Sequence, residues 1–364
     1  MKKFDLRKLG MYAVAALVAM SFVSCDDDDD NDNGNGNGGG TSTDVIAKLK
    51  AGVMEGTLEE NYTLDADVEY RLTGEFIVSN GVTLTVPAGT HIEANNGGTD
   101  VYLAVLMGGK INVNGTADNP VVMASGNSEP GDWGGLTICG KGITTSGANS
   151  TAEVGGFIYG GSDNADNSGS LTYLVIRGTG AQIDSESQYN GLSLYAVGSG
   201  TKIENIAIHD GADDGVEFFG GAAEVKNIYI ENTEDDAVDW TEGWNGSVEN
   251  TYISHTVSGF STAFEADKEN GNPTFTNVTA ISTVSGTALQ FKKQSGATIT
   301  GLYLEGYGVD LDMKDGGPTA NVIIGGSAAD VTLLQGETSK YELNSGKSST
   351  KVDVSGWTWK NAGL

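Results

Sequence analysis

The residues with the clearest chemical potential in this chain are carboxylates that recur at regular steps through its second half. One column of corresponding positions reads Ser193, Glu217, Asp239, Glu265, Gln290 and Asp312. Apolar residues flank its members, as Val216 and Phe218 flank Glu217. Because successive side chains on a strand point to opposite faces of a sheet, we expect the column to face outward and the flanking residues inward. A row of outward carboxylates could bind a cation or transfer protons.

Acidic pairs stand in the turns just before two of these strands and add to the column. Neighbouring strands lie ~4.8 Å apart, so carboxylates from two successive strands are expected to converge. Oxygen ligands at this density suit Ca²⁺ and predict a calcium site built from Asp213, Asp214, Glu217, Asp235, Asp236 and Asp239. Two alternatives remain open: the aspartates could cap turns and face water, or they could act directly as acids and bases.

An enzymatic interpretation needs further groups beside these carboxylates. Glu217 and Glu265, two strands apart, could reach the separation of roughly 6.5–9.5 Å that an inverting glycosidase uses. A calcium-assisted lyase needs a base beside the metal, and Lys292 lies one repeat beyond Glu265. Arginine, the usual base of such lyases, is limited in this chain to Arg7, Arg71 and Arg177.

Aromatic residues next to the acidic column predict a ligand platform. Tyr195 and Phe219 are expected to point outward on successive strands, and Trp244, in a turn, could form a wall. Exposed aromatic rings suit the apolar face of a sugar. The predicted ligand-binding set is Tyr195, Phe219, Glu217, Asp239, Glu265, Trp244 and Lys292. The alternative is that the aromatic rings pack beneath a neighbouring loop.

A second repeated column indicates how the strands are arranged. It reads Asn205, Asn227, Asn250, Asn277, Gly301 and Asn321, at steps close to one turn of a parallel β-helix. Such a register is typical of stacked coils, and the amides are expected to form a buried ladder from coil to coil. A β-sandwich also has short strands, but its strands need not repeat side-chain type at one period. A helical stretch near residues 45–54 predicts an N-terminal cap, and Trp357 and Trp359 are candidates for a cap at the other end.

Composition excludes several classes of function. The chain has 364 residues, a formal net charge of −29, 54 glycines and five prolines. The negative charge is wrong for nucleic acid, and no glycine-rich phosphate loop precedes a helix, so nucleotide binding is not expected. His91, His209 and His255 lack the spacing of zinc ligands. Cys25 and Cys139 cannot form a disulfide framework, and Cys139 is expected to be a small buried residue.

The N-terminus predicts an anchored protein. Basic residues precede an apolar run that ends in Ser24 and Cys25, which resembles the lipobox of a bacterial lipoprotein. This resemblance implies a signal peptide over residues 1–24, acylation of Cys25, and an Asp/Asn/Gly tether over residues 25–44 before a single domain at 45–364. The acidic run Asp26–Asp30 resembles the surface-export signal of Bacteroidota lipoproteins. The expected location is therefore the outer membrane, facing the cell exterior.

Several stretches of the domain resemble a group of Bacteroidota surface β-helix proteins of unassigned function. The stretches are Gly81–Thr90, Gly115–Pro120, Gly131–Gly135, Tyr159–Gly161, Gly198–Thr201 and Asp213–Gly221. With the repeats, this resemblance implies an all-β fold, a right-handed parallel β-helix (solenoid) with a short N-terminal cap. Pectate lyases and polygalacturonases are similar in architecture only, since none of their catalytic motifs matches here.

These observations favour a lipid-anchored surface protein that binds an extracellular carbohydrate or a surface protein without cleaving it. Ca²⁺ is the one cofactor expected. A calcium-dependent polysaccharide lyase or a glycoside hydrolase acting on the same sheet face is the first alternative. A structural adhesin or spacer, in which the acidic column has no ligand, is the second.

Overall fold

A computed structural model of the protein describes residues 42–153, 155–184, 187–268, 271–315 and 317–363. The predicted signal peptide, the predicted acylation site Cys25 and the Asp26–Asp30 run lie outside these described residues. No helix in the described ranges has the length and apolar character needed to cross a membrane.

Strands dominate the described chain. They are, in chain order, β1 (Val53–Leu58), β2 (Tyr62–Thr63), β3 (Tyr70–Val78), β4 (Thr83–Pro87), β5 (His91–Ala94), β6 (Leu103–Val105), β7 (Lys110–Asn114), β8 (Val121–Ser125), β9 (Leu136–Cys139), β10 (Ser150–Thr151), β11 (Ile158–Tyr159), β12 (Gly169–Arg177), β13 (Leu192–Tyr195), β14 (Lys202–His209), β15 (Val216–Phe219), β16 (Glu224–Glu231), β17 (Val238–Thr241), β18 (Ser247–His255), β19 (Thr262–Ala266), β20 (Thr274–Ser282), β21 (Thr287–Phe291), β22 (Ala297–Glu305), β23 (Val309–Asp312), β24 (Val322–Ile324), β25 (Ser327–Ala328), β26 (Val331–Leu333) and β27 (Lys340–Leu343). The helices are α1 (Ser42–Lys50) and two 3₁₀ turns at Thr319–Asn321 and Thr358–Asn361.

The strands stack in parallel as the coils of a right-handed β-helix, as predicted. The first sheet stacks the short strands β6, β9, β13, β15, β17, β19, β21 and β23. The long strands β12, β14, β16, β18, β20 and β22 bend once, so their first halves build a second sheet and their second halves a third. Inward apolar residues of the three sheets, such as Val216, Val225 and Ile230, form one continuous core.

The asparagine ladder stands at the bend of the long strands. The amide of Asn227 donates to Asn205 at 2.8 Å, that of Asn250 to Asn227 at 2.8 Å, and that of Asn277 to Asn250 at 2.9 Å. All four residues have the left-handed backbone that makes the bend, with φ between 58° and 60°. This conformation turns their side chains to the surface, where they are partly or fully exposed, so the predicted burial of the ladder is wrong.

The ladder is also shorter than predicted. Gly301 takes the next corner, with φ +71°, and has no amide to continue it. Asn321 is not at a corner, because Val322 pairs with Ala297 and the amide of Asn321 donates instead to the carbonyl oxygen of Gln294 at 2.8 Å.

The two ends of the solenoid are covered differently. Helix α1 buries Val45 and Leu49 against the first coil and forms the predicted N-terminal cap, three residues ahead of the expected start. At the other end, β25, β26 and β27 pair antiparallel with β24, with one another and with β23. Antiparallel pairing there occupies strand edges that could otherwise recruit another chain.

Residues 345–363, which we call the C-terminal strap, run back along the outside of the third sheet. The backbone N–H of Val352 donates to Thr279 Oγ1 at 2.8 Å, and His209 Nε2 contacts the carbonyl oxygen of Lys360 at 2.7 Å. Trp359 packs edge-on against Tyr173 on the side of the solenoid. The prediction that Trp357 and Trp359 close the C-terminal end is therefore wrong.

Candidate cation-binding site

The acidic column has the predicted register along the first sheet. Ser193 pairs with Glu217, Glu217 with Asp239, Asp239 with Glu265, Glu265 with Gln290, and Gln290 with Asp312. Its members point away from the core, but most are not open to solvent: Asp239 is 8% and Glu265 7% exposed. The column therefore lies in a recess rather than on a flat, hydrated face.

Five of the six predicted metal ligands converge at this recess. Asp213, Asp214 and Asp235 form one triad, and Asp214, Glu217 and Asp239 form a second, each with ligand oxygens within 4.8 Å of one another. Asp214 belongs to both. We call these five residues the carboxylate cluster. Asp235 is exposed and Asp214 and Asp239 are buried, so the cluster runs from the surface into the recess.

Hydrogen bonds from neighbouring groups orient the cluster. Asn190 donates its amide to Glu217 Oε2 at 2.8 Å, and the backbone N–H of Asp236 donates to Asp214 Oδ1 at 2.9 Å. The buried Oδ1 of Asn190 has no hydrogen-bond partner among the described residues. It is a neutral oxygen on the residue that holds Glu217, in the chemical class that accompanies carboxylates around Ca²⁺.

Asp236, the sixth predicted ligand, is not part of either triad. Its Oδ1 accepts a hydrogen bond of 2.6 Å from Thr262 Oγ1 on the next coil, and both groups are buried. The carboxylate is thus held by the next coil, although its charge still contributes to the raised pKa of Asp214. This difference could not be predicted from the sequence, since Asp235 and Asp236 are adjacent and chemically identical.

The cluster is electrostatically strained when it holds no cation. Burial, and after it the charge of Asp235, raises the pKa of Asp213 to about 7. Burial and the nearby Glu265 raise the pKa of Asp239 to about 8. Burial and the charge of Asp239 also raise the pKa values of Asp214 and Glu217 well above the usual range. A bound cation would favour the ionised forms of all these groups.

The lysines of this sheet face pair with other acids. Lys292 forms an ion pair with Glu265, and Lys293 with Asp267 at 3.3 Å. In the part of the chain that the structure describes, no Lys or Arg forms an ion pair with the carboxylate cluster. Lys292 and Glu265 are thus brought together as expected from their spacing, but each neutralises the other.

Tyr195 and Phe219 point outward as predicted, but they are buried and do not form an exposed platform. Their rings stack at 4.0 Å between centroids and are 1% and 4% exposed. The hairpin of β10 and β11 covers them, with Tyr159 4.9 Å from Tyr195 between ring centroids. The prediction therefore fails because a loop supplies the apolar cover that a ligand was expected to supply.

Glu242, which sequence reasoning missed, anchors this hairpin. Its carboxylate accepts hydrogen bonds of 2.7 Å from both Tyr159 and Thr144, and it lies 3.9 Å from Lys268. Glu153 on the same hairpin was also missed. Its charge helps to raise the pKa of Glu217, although burial and the charge of Asp239 contribute more. The only sequence signal was the aromatic pair Phe157 and Tyr159 within a long insertion.

Trp244 does not wall the recess. Its side chain is fully buried in the core, where it stacks on Phe218 with 4.0 Å between ring centroids. The indole N–H donates to the carbonyl oxygen of Ala223 at 3.1 Å, which satisfies its polar atom there. The turn that was expected to project Trp244 outward therefore folds it under the solenoid surface.

Comparison with known proteins agrees with this architecture. The model of a family described as the pectate-lyase-like β-helix domain matches residues 56–362. No curated protein and no solved structure matches the chain significantly.

Proposed function

Because the chain belongs to the family of pectate-lyase-like β-helix domains, we propose that it is a surface binding protein that holds Ca²⁺ in the carboxylate cluster. The bound ion would present open coordination positions to an extracellular glycan or surface protein, which is bound and not cleaved. The observation that carries this proposal is the pair of carboxylate triads joined by Asp214.

The chemistry of the cluster favours a hard divalent cation. Ca²⁺ takes six to eight oxygen ligands in flexible geometry, and five carboxylates with the Asn190 amide oxygen offer such a set. The described histidines and the buried Cys139 are not part of either triad, so softer metals find no matching ligands in the cluster. Without a cation, the clustered acids are stable only when some of them are protonated.

The open side of the cluster supports a role in binding a partner. Asp235 is exposed and Asp213 is half-buried, so an ion there would keep positions directed to solvent. Carboxylate or hydroxyl oxygens of a glycan, or carboxylates of a protein, are suitable ligands for those positions. We place the protein at the cell exterior, held by acylated Cys25 and the acidic tether, on the strength of its N-terminal sequence.

A second candidate function is a calcium-dependent lyase or a glycoside hydrolase at the same recess. It is favoured by one observation: Asp239, whose pKa is raised to about 8, lies beside the Glu265–Lys292 pair. A carboxylic acid that keeps its proton near neutral pH can act as a general acid. Against it, Lys292 is engaged with Glu265 and would have to be released before serving as a base.

A glycan array probed with the purified domain, in calcium and in EDTA, tests the proposal. We expect calcium-dependent retention on one class of glycan, lost in Asp214→Asn and kept in Asp267→Asn, an acidic residue outside the cluster. A reducing-end assay on the retained glycans separates binding from cleavage. If calcium does not bind the protein and does not promote retention on any glycan, the spacer or adhesin alternative replaces this proposal.

A further inference from the structure

A polar groove lies between the asparagine ladder and the C-terminal strap, on a different edge of the solenoid from the carboxylate cluster. Asn227, Asn250 and Asn277 line one side, and Ser348, residues 350–353 and Trp357 line the other. Its volume is about 360 Å³, within the range of small-molecule sites. The groove thus combines a row of amides with one aromatic wall.

The amides of the ladder retain hydrogen-bonding capacity toward the groove. Each side-chain amide has two N–H donors and two acceptor lone pairs. In Asn227 and Asn250, the ladder uses one donor and one lone pair, since each amide donates to one neighbour and accepts from the other. The remaining donors and acceptors repeat from coil to coil, ~4.8 Å apart. A row of paired donors and acceptors matches a ligand that carries hydroxyl groups at regular intervals.

Trp357 provides the aromatic side of the groove. It is the one half-exposed tryptophan among the described residues, since the other four are 3% exposed or less. Its ring stacks on Trp359 at 5.8 Å between centroids, and Trp359 is itself buried against Tyr173. An indole that is held in place and open on one side is the usual partner of a sugar ring's apolar face.

The strap is fixed on both sides of the groove. The backbone N–H of Ser348 donates to the carbonyl oxygen of Leu302 at 2.5 Å, and that of Val352 to Thr279 Oγ1 at 2.8 Å. Beyond Trp357, the carbonyl oxygen of Lys360 contacts His209 Nε2. These contacts set the width of the groove before any ligand arrives, which lowers the entropic cost of binding.

The charges around the groove point to an uncharged ligand. Lys351, its one cationic residue in the described lining, is paired with Glu305 at 2.7 Å and lies over the ring of Tyr303. Asp353 leaves one carboxylate on the wall, where it accepts from the backbone N–H of Ser355 at 2.9 Å. This carboxylate and the net charge of −29 of the whole chain would repel an acidic polysaccharide.

From these features we propose that the groove between the asparagine ladder and the C-terminal strap binds a neutral oligosaccharide. The ladder amides donate to and accept from its hydroxyl groups, Asp353 accepts from a further hydroxyl, and the Trp357 indole stacks on one ring. This site needs no calcium and is independent of the carboxylate cluster.

Isothermal titration with three neutral hexasaccharides (xylo-, cello- and mannohexaose) tests the proposal on the purified domain. We expect one of them to bind, to quench or shift the fluorescence of Trp357, and to bind equally in calcium and in EDTA. Trp357→Ala should weaken binding about tenfold. Leu333→Ala, which truncates another large exposed apolar side chain, should leave binding unchanged.

Circular dichroism and the thermal midpoint show whether Trp357→Ala remains folded, and Trp357→Phe, which keeps a ring, should restore part of the affinity. The proposal is overturned if none of the three sugars binds at millimolar concentration, or if Trp357→Ala binds as wild type does. Binding that disappears in EDTA or in Asp214→Asn would also overturn it, since it would place the sugar at the carboxylate cluster. Loss of calcium-dependent retention alone, with hexasaccharide binding kept, would count only against the calcium proposal.

Discussion

The backbone N–H of Asp236 donates a hydrogen bond to the side chain of Asp214 at 2.9 Å, across two successive coils. Asp214 is the residue that both carboxylate triads share, while the side chain of Asp236 belongs to neither triad and accepts a hydrogen bond from Thr262. Asp214 and Asp236 occupy equivalent positions in successive coils but differ in their contacts. The Asp214 side chain belongs to both triads, whereas the Asp236 backbone N–H orients it.

This difference predicts how two substitutions affect calcium binding. Calcium should increase the free energy of unfolding of wild type by mass action, by about 2.7 kcal/mol at a hundredfold excess over Kd. The thermal midpoint should rise accordingly. Asp214→Asn should weaken calcium binding by at least about tenfold, because it removes a charge from both triads. Asp236→Asn is the matched control: it also removes a nearby charge but not a member of either triad, so it should weaken binding much less, measured by titration calorimetry at fixed ionic strength. Equal loss in both variants would contradict the assignment of Asp236.

Stability without calcium should fall as pH rises through neutrality. In the folded protein the pKa of Asp213 is raised to about 7 and that of Asp239 to about 8, whereas unfolded aspartate titrates near about 3.9. The folded state therefore binds more protons, and its advantage is lost as these groups ionise. Between about pH 6.5 and 8.5 the free energy of unfolding in EDTA should fall by about 1–3 kcal/mol.

That window also avoids the opposing effect of His255. Its pKa is lowered to about 4 by burial, so its contribution to stability rises with pH only below the pKa of unfolded histidine, about 6.5. Calcium should abolish the loss between pH 6.5 and 8.5, because the ion stabilises the ionised carboxylates. Denaturant melts at the two pH values, with and without calcium, measure both effects; a flat profile in EDTA would rule out the proposed charge state.

The hairpin of β10 and β11 should detach when its contact with Glu242 is weakened. Tyr159→Phe removes one hydrogen bond to a buried carboxylate and should cost about 1.5–3 kcal/mol. Ile158→Ala, on the exposed side of the same strand, is the control and should be nearly neutral. Limited proteolysis within residues 141–167 and binding of a hydrophobic dye report exposure of Tyr195 and Phe219. Unchanged proteolysis in Tyr159→Phe would mean that apolar packing alone holds the hairpin.

Substitutions at Asn250 of the ladder separate two contributions to stability: the side-chain hydrogen bonds and the left-handed backbone conformation. Asn250→Gly removes the amide but fits the left-handed backbone at φ +60°, so it loses two partly exposed hydrogen bonds and should cost about 1–3 kcal/mol. Asn250→Ala loses the same bonds and adds the steric cost of that conformation, about 1–2 kcal/mol more. Urea melts of the two variants give the difference; equal stabilities would show that the backbone relaxes at this corner.

Anchoring can be tested on whole cells. Cys25→Ala should release the protein from the membrane fraction, because in the lipoprotein prediction the acyl group on Cys25 is the membrane anchor. Deletion of residues 26–30 should leave it acylated but hidden from protease added outside the cell. Cys139→Ala is the control, since that thiol is buried in the solenoid. Cys25→Ala that still pellets with membranes would contradict the lipoprotein prediction.

Sequence reasoning succeeded where the repeat itself carries the information. The alternation of Val216, Glu217 and Phe218, repeated in the next coil, placed the acidic column in its observed register. Adjacent strands in a parallel β-helix must pair residue by residue, so one aligned column determines its neighbours. The same logic failed at Asn321, where the repeat ends. Val322 pairs with Ala297, so Asn321 lies beside the start of β22 and not beside the corner at Gly301.

Contacts made by segments outside the repeat could not be predicted in this way. The hairpin that buries Tyr195 and the turn that folds Trp244 inward depend on partners far apart in sequence, Glu242 for Tyr159 and Phe218 for Trp244. No periodic pattern describes such partners. The carboxylate cluster was predictable as a group, but the direction of each side chain, as for Asp236, depended on a single threonine one coil away.

The C-terminal strap changes how the solenoid should come apart. Stacked coils contact only their neighbours, and such arrays tend to fray from the ends. Here Arg177 of β12, in the middle of the solenoid, donates to the carbonyl oxygen of Gly363, a residue 186 positions away, while Ser348 is bonded to Leu302 of β22, near the C-terminal end of the stack. The strap therefore couples the coils from β12 to β22, so these coils should unfold as one cooperative unit. It also sets an order of assembly: the strap can dock only after every coil it crosses has formed, so residues 345–363 pack after β12 to β22.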